Sequence, residues 1–230
     1  MLHGGAPTAL VTRLVEDVPT SVPMRLTRLT VDLMRPVPIG ELTADVSVTR
    51  EGRNIQTVAV TLSANGKPVV RASGLKIRRA HLDLPDNVRL PVQAAGPKPE
   101  LLGFLRSDGF NSTVQMREAD PTPVGAARGV WFHIQRPFFD DMATTPLMRA
   151  AATGDYCNGF GSPLDFEKWT YINADLTLHF VRDPVGEQMM LAAKCWIGPD
   201  GRGLAFGELS DEQGSFGRAV QSLVIAQRPG

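Results

Sequence analysis

The sequence predicts an α+β chain made of two copies of one unit, a helix followed by an antiparallel sheet. Three observations carry this. First, "RLTVDLMRPVPIGE" at residues 28–41 is echoed by "NADLTLHFVRDPVGE" at residues 173–187, about 147 residues later. Second, each stretch follows a helical pattern and precedes three further strand-like runs separated by Gly-containing turns. Third, the closing runs also answer each other, "RASGLKI" with "RAVQSLVI". Any antiparallel meander repeats its turn spacing; a motif that recurs in register needs duplication.

The first helix is expected over residues 4–18, where Ala6, Leu10, Leu14 and Val18 recur every four residues and share one face. Pro7 sits in its first turns, where a missing N–H costs little, and Pro19 and Pro23 stop it. The period then changes to two: Leu29, Val31 and Leu33 alternate with Thr30, Asp32 and Met34. "ELTADVSVT", "NIQTVAVTLS" and "VVRASGLKIRR" continue the sheet, and Asn65-Gly66 between two apolar runs is a hairpin signal.

These elements define a first unit at 1–80, a proline-rich linker at 81–103 and a second unit at 104–230. In the second unit "STVQMRE" and "GVWFHIQRPF" read as strands ahead of the helix. "TPLMRAAATGDYCNG" is the helix, with Thr144 or Thr145 as cap, Pro146 in the first turn and Gly159 at the stop. "YINADLTLHFVR", "EQMMLAAKCWIG", "GRGLAFGELS" and "GSFGRAVQSLVIAQ" complete the sheet.

Composition excludes several function classes. Lys and Arg total 24, as do Asp and Glu, so no charge excess favours nucleic acid. No apolar run reaches the roughly 18 residues of a membrane span, and no signal segment opens the chain. Cys157 and Cys195 lack CxxC spacing, which favours reduced thiols in a cytoplasmic protein. His3, His81, His133 and His179 show no metal-ligand spacing. There is no GxSxG elbow, and "GRGLAFGE" lies between strands rather than ahead of a helix.

A helix wrapped by an antiparallel sheet, present twice, is the double hotdog arrangement. The sequence resembles the acyl-CoA thioesterase II (TesB-type) family, in its actinobacterial thioesterase-like branch. The resemblance rests on "HGGAPTAL", "LMRPVPIG", "WFHIQRPF", "GDYCNGFG", "INADLTLHFVRDPVGE" and "DEQGSFGRAVQSLV" and spans nearly the whole chain. Family members carry residues ahead of the "GG" motif that here begins almost at Met1. The first hotdog is therefore expected to be short of its first strand or strands.

The resemblance implies hydrolysis of an acyl-CoA thioester by a positioned water, with no cofactor beyond the coenzyme A of the substrate. In the family an Asp, a Thr or Ser, and a Gln hold that water. Carried over by motif, these fall on Asp155, Asn173 and Gln221, with Asn173 standing where the family has a hydroxyl. An Asn amide both donates and accepts. Gly4 and Gly5 are candidate oxyanion donors at a helix start, though close helix packing also calls for glycine there. Arg182 is a candidate contact for a CoA phosphate, with a strand-end ion pair as the alternative. The first-half counterpart of Gln221 is read as Ser73. Expected partners are acyl-CoA and a second copy of the chain in a homodimer or larger homo-oligomer. Two rivals stay open: a non-catalytic acyl-binding hotdog protein, and a hotdog enoyl-CoA hydratase, which needs a carboxylate and a His at one site.

Overall fold

The structure is a computed structural model that describes residues 1–88, 96–102 and 109–229. Helix α1 (Gly5–Asp17) leads into β1 (Met24–Leu33), β2 (Thr43–Glu51), β3 (Ile55–Ala64) and β4 (Lys67–Arg78). The second half opens with β5 (Gly96–Pro97), β6 (Val114–Asp120) and β7 (Arg128–Ile134), then helices α2 (Pro146–Gly154) and α3 (Cys157–Gly161). It closes with β8 (Trp169–Asn173), β9 (Asp175–Phe180), β10 (Gln188–Ile197), β11 (Arg202–Asp211) and β12 (Gly214–Gln227). The proline-rich linker lies partly outside the described residues.

Among the described residues the strands form one 12-stranded sheet in the order β2-β3-β4-β1-β9-β12-β11-β10-β7-β6-β5, with β8 paired to β12. The duplication is plain in this order, since β2-β3-β4-β1 is answered by β10-β11-β12-β9. The halves join where β1 runs antiparallel to β9 with Thr30 opposite Thr177. These threonines, 147 residues apart, hold the same place in the two copies, and their hydroxyls lie 3.4 Å apart. A pseudo-two-fold axis therefore passes between them. Such an axis, normal to the sheet, sets α1 and α2 antiparallel on one face, so each helix start abuts the other helix's end.

One difference between the copies is large. In the second half β10 pairs with β7, and β7 with β6. No described strand stands outside β2, and all nine of its residues are exposed. Its free edge carries Asp45, Arg50 and Glu51, charges of the kind that discourage edge pairing. By contrast β3 alternates buried and half-buried residues throughout, as a strand with one face on a core must. Asn65 and Gly66, with φ of 50° and 71°, make the expected hairpin turn.

The apolar face expected for α1 is not the one that packs deepest. Ala6, Leu10, Leu14 and Val18 are only half-buried, while Thr8, Ala9, Val11, Thr12 and Val15 are buried. Small residues win because the helix lies close against α2 and the sheet. The two threonines enter the core by donating from Oγ1 to the carbonyls of Gly4 and Thr8, each at 2.7 Å. One hydrophobic cluster spans both halves, from Leu29, Val58 and Leu62 to Leu176, Met189 and Phe216.

The end of β9 is tied to the β11–β12 turn by a buried ion pair. Arg182 donates to both carboxylate oxygens of Asp211, at 2.7 and 2.6 Å, and to the carbonyl of Gly214. Asp211 also accepts from the backbone N–H groups of Val185 and Gln213. Burial alone would raise the Asp211 pKa, but Arg182 and these N–H groups outweigh it and hold it below the usual aspartate value. The stabilisation is therefore complete above the ordinary aspartate pKa and is lost as pH falls through the lowered one. Asp211→Asn should cost roughly 3 kcal/mol of unfolding free energy at neutral pH by leaving Arg182 uncompensated. In urea titrations its deficit against wild type should shrink as the pH drops below the aspartate range.

Candidate active site

Asp155 is the centre of a polar cluster drawn from both halves of the chain. It caps the C-terminal end of α2 and is 5% exposed. The helix expected to run on through "GDYCNG" breaks here, and α3 resumes at Cys157. Gln221 holds the break open: its Nε2 donates to the Asp155 carbonyl at 3.2 Å, and its Oε1 accepts from the Asn158 N–H at 3.0 Å. Two backbone groups that a continuous helix would pair internally are thus met by one fully buried amide.

The strand registers correct the assigned counterpart of this glutamine. Ser73 pairs with Thr30 as Val220 pairs with Thr177, so Ser73 matches Val220 and Gly74 matches Gln221. A Cβ at Gly74 would lie 2.5 Å from Val15 Cγ1. The first helix therefore runs unbroken over a glycine where the second is interrupted by a glutamine.

The carboxylate of Asp155 has one neighbour on each oxygen, and they come from different copies. Asn173 Nδ2 donates to Oδ1 at 3.0 Å. Asn173 can reach it because the expected long strand is divided between β8 and β9 at Ala174. On the other side His3 Nδ1 lies 3.2 Å from Oδ2. The start of α1 closes the arrangement. A Cβ at Gly4 would fall 2.7 Å from Oδ2, and one at Gly5 would fall 3.2 Å from the Ala152 carbonyl. No other residue type brings the α1 N-terminus so near the carboxylate. The two glycines thus serve the close-packing role and bring the positive end of the α1 dipole toward Asp155.

Around this cluster lies an aromatic shell. The His3 ring stacks on Tyr156 at 4.6 Å and on Phe110 at 5.3 Å between centroids. Tyr156 donates its hydroxyl to Asn111 Oδ1 at 2.7 Å. Burial, reinforced by the Asp155 charge, pushes its phenol far above the ordinary tyrosine value, so it remains a donor at any working pH.

Comparison with known proteins gives the chemistry its context. Residues 1–76 match the family described as acyl-CoA thioesterase N-terminal domain, and residues 85–225 match the acyl-CoA thioesterase C-terminal domain. The chain belongs to the acyl-CoA thioesterase family. Its reaction class is thioester hydrolysis, and acyl-CoA is the substrate class that goes with it. Among solved structures it is similar to a candidate thioesterase II from Thermobifida fusca, with a TM-score of 0.75 and 17% identity, covering 97% of this chain and 86% of that one. It is similar also to the acyl-CoA thioesterase II TesB2 of Mycobacterium marinum, with a TM-score of 0.70 and 19% identity over 99% and 90% of the two chains. A hotdog-fold protein from Alicyclobacillus acidocaldarius matches with a TM-score of 0.69 and 16% identity over 99% and 87%. At these identities the likeness shows the fold, the double hotdog. No curated protein matches significantly.

In this thioesterase the three residues expected to hold a water do meet, in unequal roles. Asn173 touches the Asp155 carboxylate, whereas Gln221 spends its amide on the backbone at the helix break. Arg182 is engaged by Asp211 and Gly214, which is the strand-end ion pair rather than a free phosphate contact. His3 was missed as a neighbour of Asp155 because histidine spacing along the sequence says nothing about a partner 152 residues away. Its place just ahead of the "GG" that starts α1, together with antiparallel helices, was the available signal. Among the described residues no three His, Cys, Asp or Glu side chains gather as metal ligands would. Nor is any helix among these residues long and apolar enough to cross a membrane.

Cys157 and Cys195 are free thiols in the core. Burial pushes Cys195 up to about 11, and Cys157 well above the ordinary range with Cys195 and Asp155 adding to the effect. Neither should react with iodoacetamide at pH 7.5 in the native protein, while both should do so in urea; rapid native labelling of Cys157 would revive a thiol nucleophile. Gln221→Leu should lower the unfolding free energy by about 2 kcal/mol, because the Asp155 carbonyl and Asn158 N–H lose their partner. A variant as stable as wild type would show that the clamp contributes nothing.

Proposed function

We propose that this chain hydrolyses a fatty-acyl-CoA thioester by attack of a water oriented and deprotonated at Asp155, without a covalent enzyme intermediate. The observation that carries the proposal is a nearly buried carboxylate with a donor on Oδ1 and the N-terminus of α1 packed against Oδ2. A thioester carbonyl has little resonance stabilisation, so it needs a positioned base and oxyanion donors more than a nucleophilic side chain.

In this mechanism the carboxylate takes a proton from the water as its oxygen bonds to the carbonyl carbon. The oxyanion then draws on the Gly4 N–H, aided by the positive end of the α1 dipole. Collapse breaks the C–S bond, the thiolate recovers the proton from Asp155, and free acid and CoA thiol leave. Asn173 fixes the carboxylate plane through Oδ1. Gln221 fixes the backbone that carries Asp155. No cofactor enters any step.

One observation favours a second reading. His3 beside Asp155 supplies the carboxylate and histidine pair that an enoyl-CoA hydratase requires. Thiol release and hydration are separable, because hydration consumes the conjugated double bond and releases no thiol. Across a panel of saturated acyl-CoAs the wild type should release thiol. Asp155→Asn should reduce kcat by about 10²- to 10⁴-fold. With an enoyl-CoA as substrate, loss of enoyl absorbance without thiol release would replace the hydrolase by the hydratase. Binding without either reaction would leave an acyl-binding protein.

A further inference from the structure

We propose that His3 is a positioning residue for Asp155, and that its Nδ1 is shared between the carboxylate and the first N–H of α1. The inference rests on Asp155 being the water-activating group. Nδ1 lies 3.2 Å from Asp155 Oδ2 and 3.1 Å from the Gly5 nitrogen. A ring nitrogen has either one N–H or one in-plane lone pair. With the proton on Nδ1, it donates to Oδ2 and leaves the Gly5 N–H without its acceptor. With a lone pair there, it accepts from Gly5 and sets that lone pair against those of Oδ2.

An ionised Asp155 therefore selects the Nδ1–H form, since the alternative opposes two acceptors at hydrogen-bond distance. One proton on Nδ1 thus orients the base. The ring is held for this by its stacking between Phe110 and Tyr156, with Tyr156 fixed in turn by Asn111. His3 comes from the first copy and Asp155 from the second, so the pairing exists only where α1 starts against the end of α2.

A plain capping role for His3 explains the Gly5 contact and not the approach of the carboxylate, and substitutions separate the two. His3→Asn puts an amide nitrogen where Nδ1 stands and should keep kcat within about threefold of wild type. His3→Phe keeps the stacking and removes the donor; kcat should fall about 10- to 100-fold with KM little changed. His3→Asp is a good acceptor for a helix N–H but opposes Asp155, so it should lose at least as much as His3→Phe. Full activity in His3→Phe overturns the proposal, as does His3→Asp matching His3→Asn.

A measurement on wild type removes any dependence on variant folding. In protein with ¹⁵N-labelled histidine, the His3 resonance, assigned by its loss in His3→Asn, should report a protonated Nδ1. In Asp155→Asn it should shift toward the Nε2–H form, because an amide at 155 can donate to Nδ1. An Nε2–H ring in wild type overturns the proposal. Should Asp155→Asn hydrolyse as fast as wild type, the mechanism at Asp155 fails first. If Asp155→Asn is inactive and His3→Phe is not, the mechanism stands and His3 alone is dismissed.

Discussion

The site depends on one close approach, that of the α1 N-terminus to the Asp155 carboxylate, and this approach exists because Gly4 has no Cβ. Its origin is in the sheet. Pairing β1 with β9 around Thr30 and Thr177 creates the pseudo-two-fold axis that turns the two helices antiparallel. From that single junction it follows that a helix start, the positive end of its dipole, faces a helix end, the negative one. A carboxylate at such a meeting point is favoured by the first and must be accommodated by the second.

The same axis generates a second junction, where the end of α1 meets the start of α2, and there side chains meet both helix ends. Thr145 occupies the place of Gly4; its hydroxyl caps α2 at Met148 and donates to Glu16 Oε2 at 2.8 Å. Lys76 fills the remaining space, donating from Nζ to the Val18 carbonyl at 2.5 Å and the Glu16 carbonyl at 3.4 Å. Burial raises the Glu16 pKa and lowers that of Lys76, with each group's partners only partly offsetting it. These are the features of a satisfied helix cap. Duplication thus gave two equivalent places, and the residues at 4 and 145 set them apart, a glycine that admits a carboxylate and a threonine that caps its helix.

The sequence made the duplication legible because strand periodicity, turn residues and a repeated Arg-containing motif are local and survive without a structure. The 147-residue offset leads directly to the pairing of Thr30 with Thr177. Less legible was anything set by packing between elements. The apolar stripe through Leu10 and Leu14 suggested the wrong face of α1, because close helix contacts select Thr8, Ala9 and Thr12 over larger residues. Gln221 was found by motif, but its task at the helix break follows from hydrogen bonds that no spacing encodes. Ser73 was the expected counterpart, but matching Arg71-Ala72 to Arg218-Ala219, as the ladder register does, gives Gly74. His3 stayed unconnected to Asp155 for the same reason, since their contact is a property of two helices meeting.

The replacement of a hydroxyl by Asn173 gains a physical account from this arrangement. What the carboxylate requires on its Oδ1 side is a donor, and an amide N–H meets that need as a hydroxyl would. An amide carries a second proton, and Asn173 turns it toward the carbonyl of Asp175, 3.5 Å away across the division between β8 and β9. The donor is thereby oriented by the strand break itself. With Asn173 on Oδ1 and His3 against Oδ2, each copy of the duplicated unit contributes one neighbour to a single carboxylate. Neither half holds that group alone, which is a reason for the two to remain one chain.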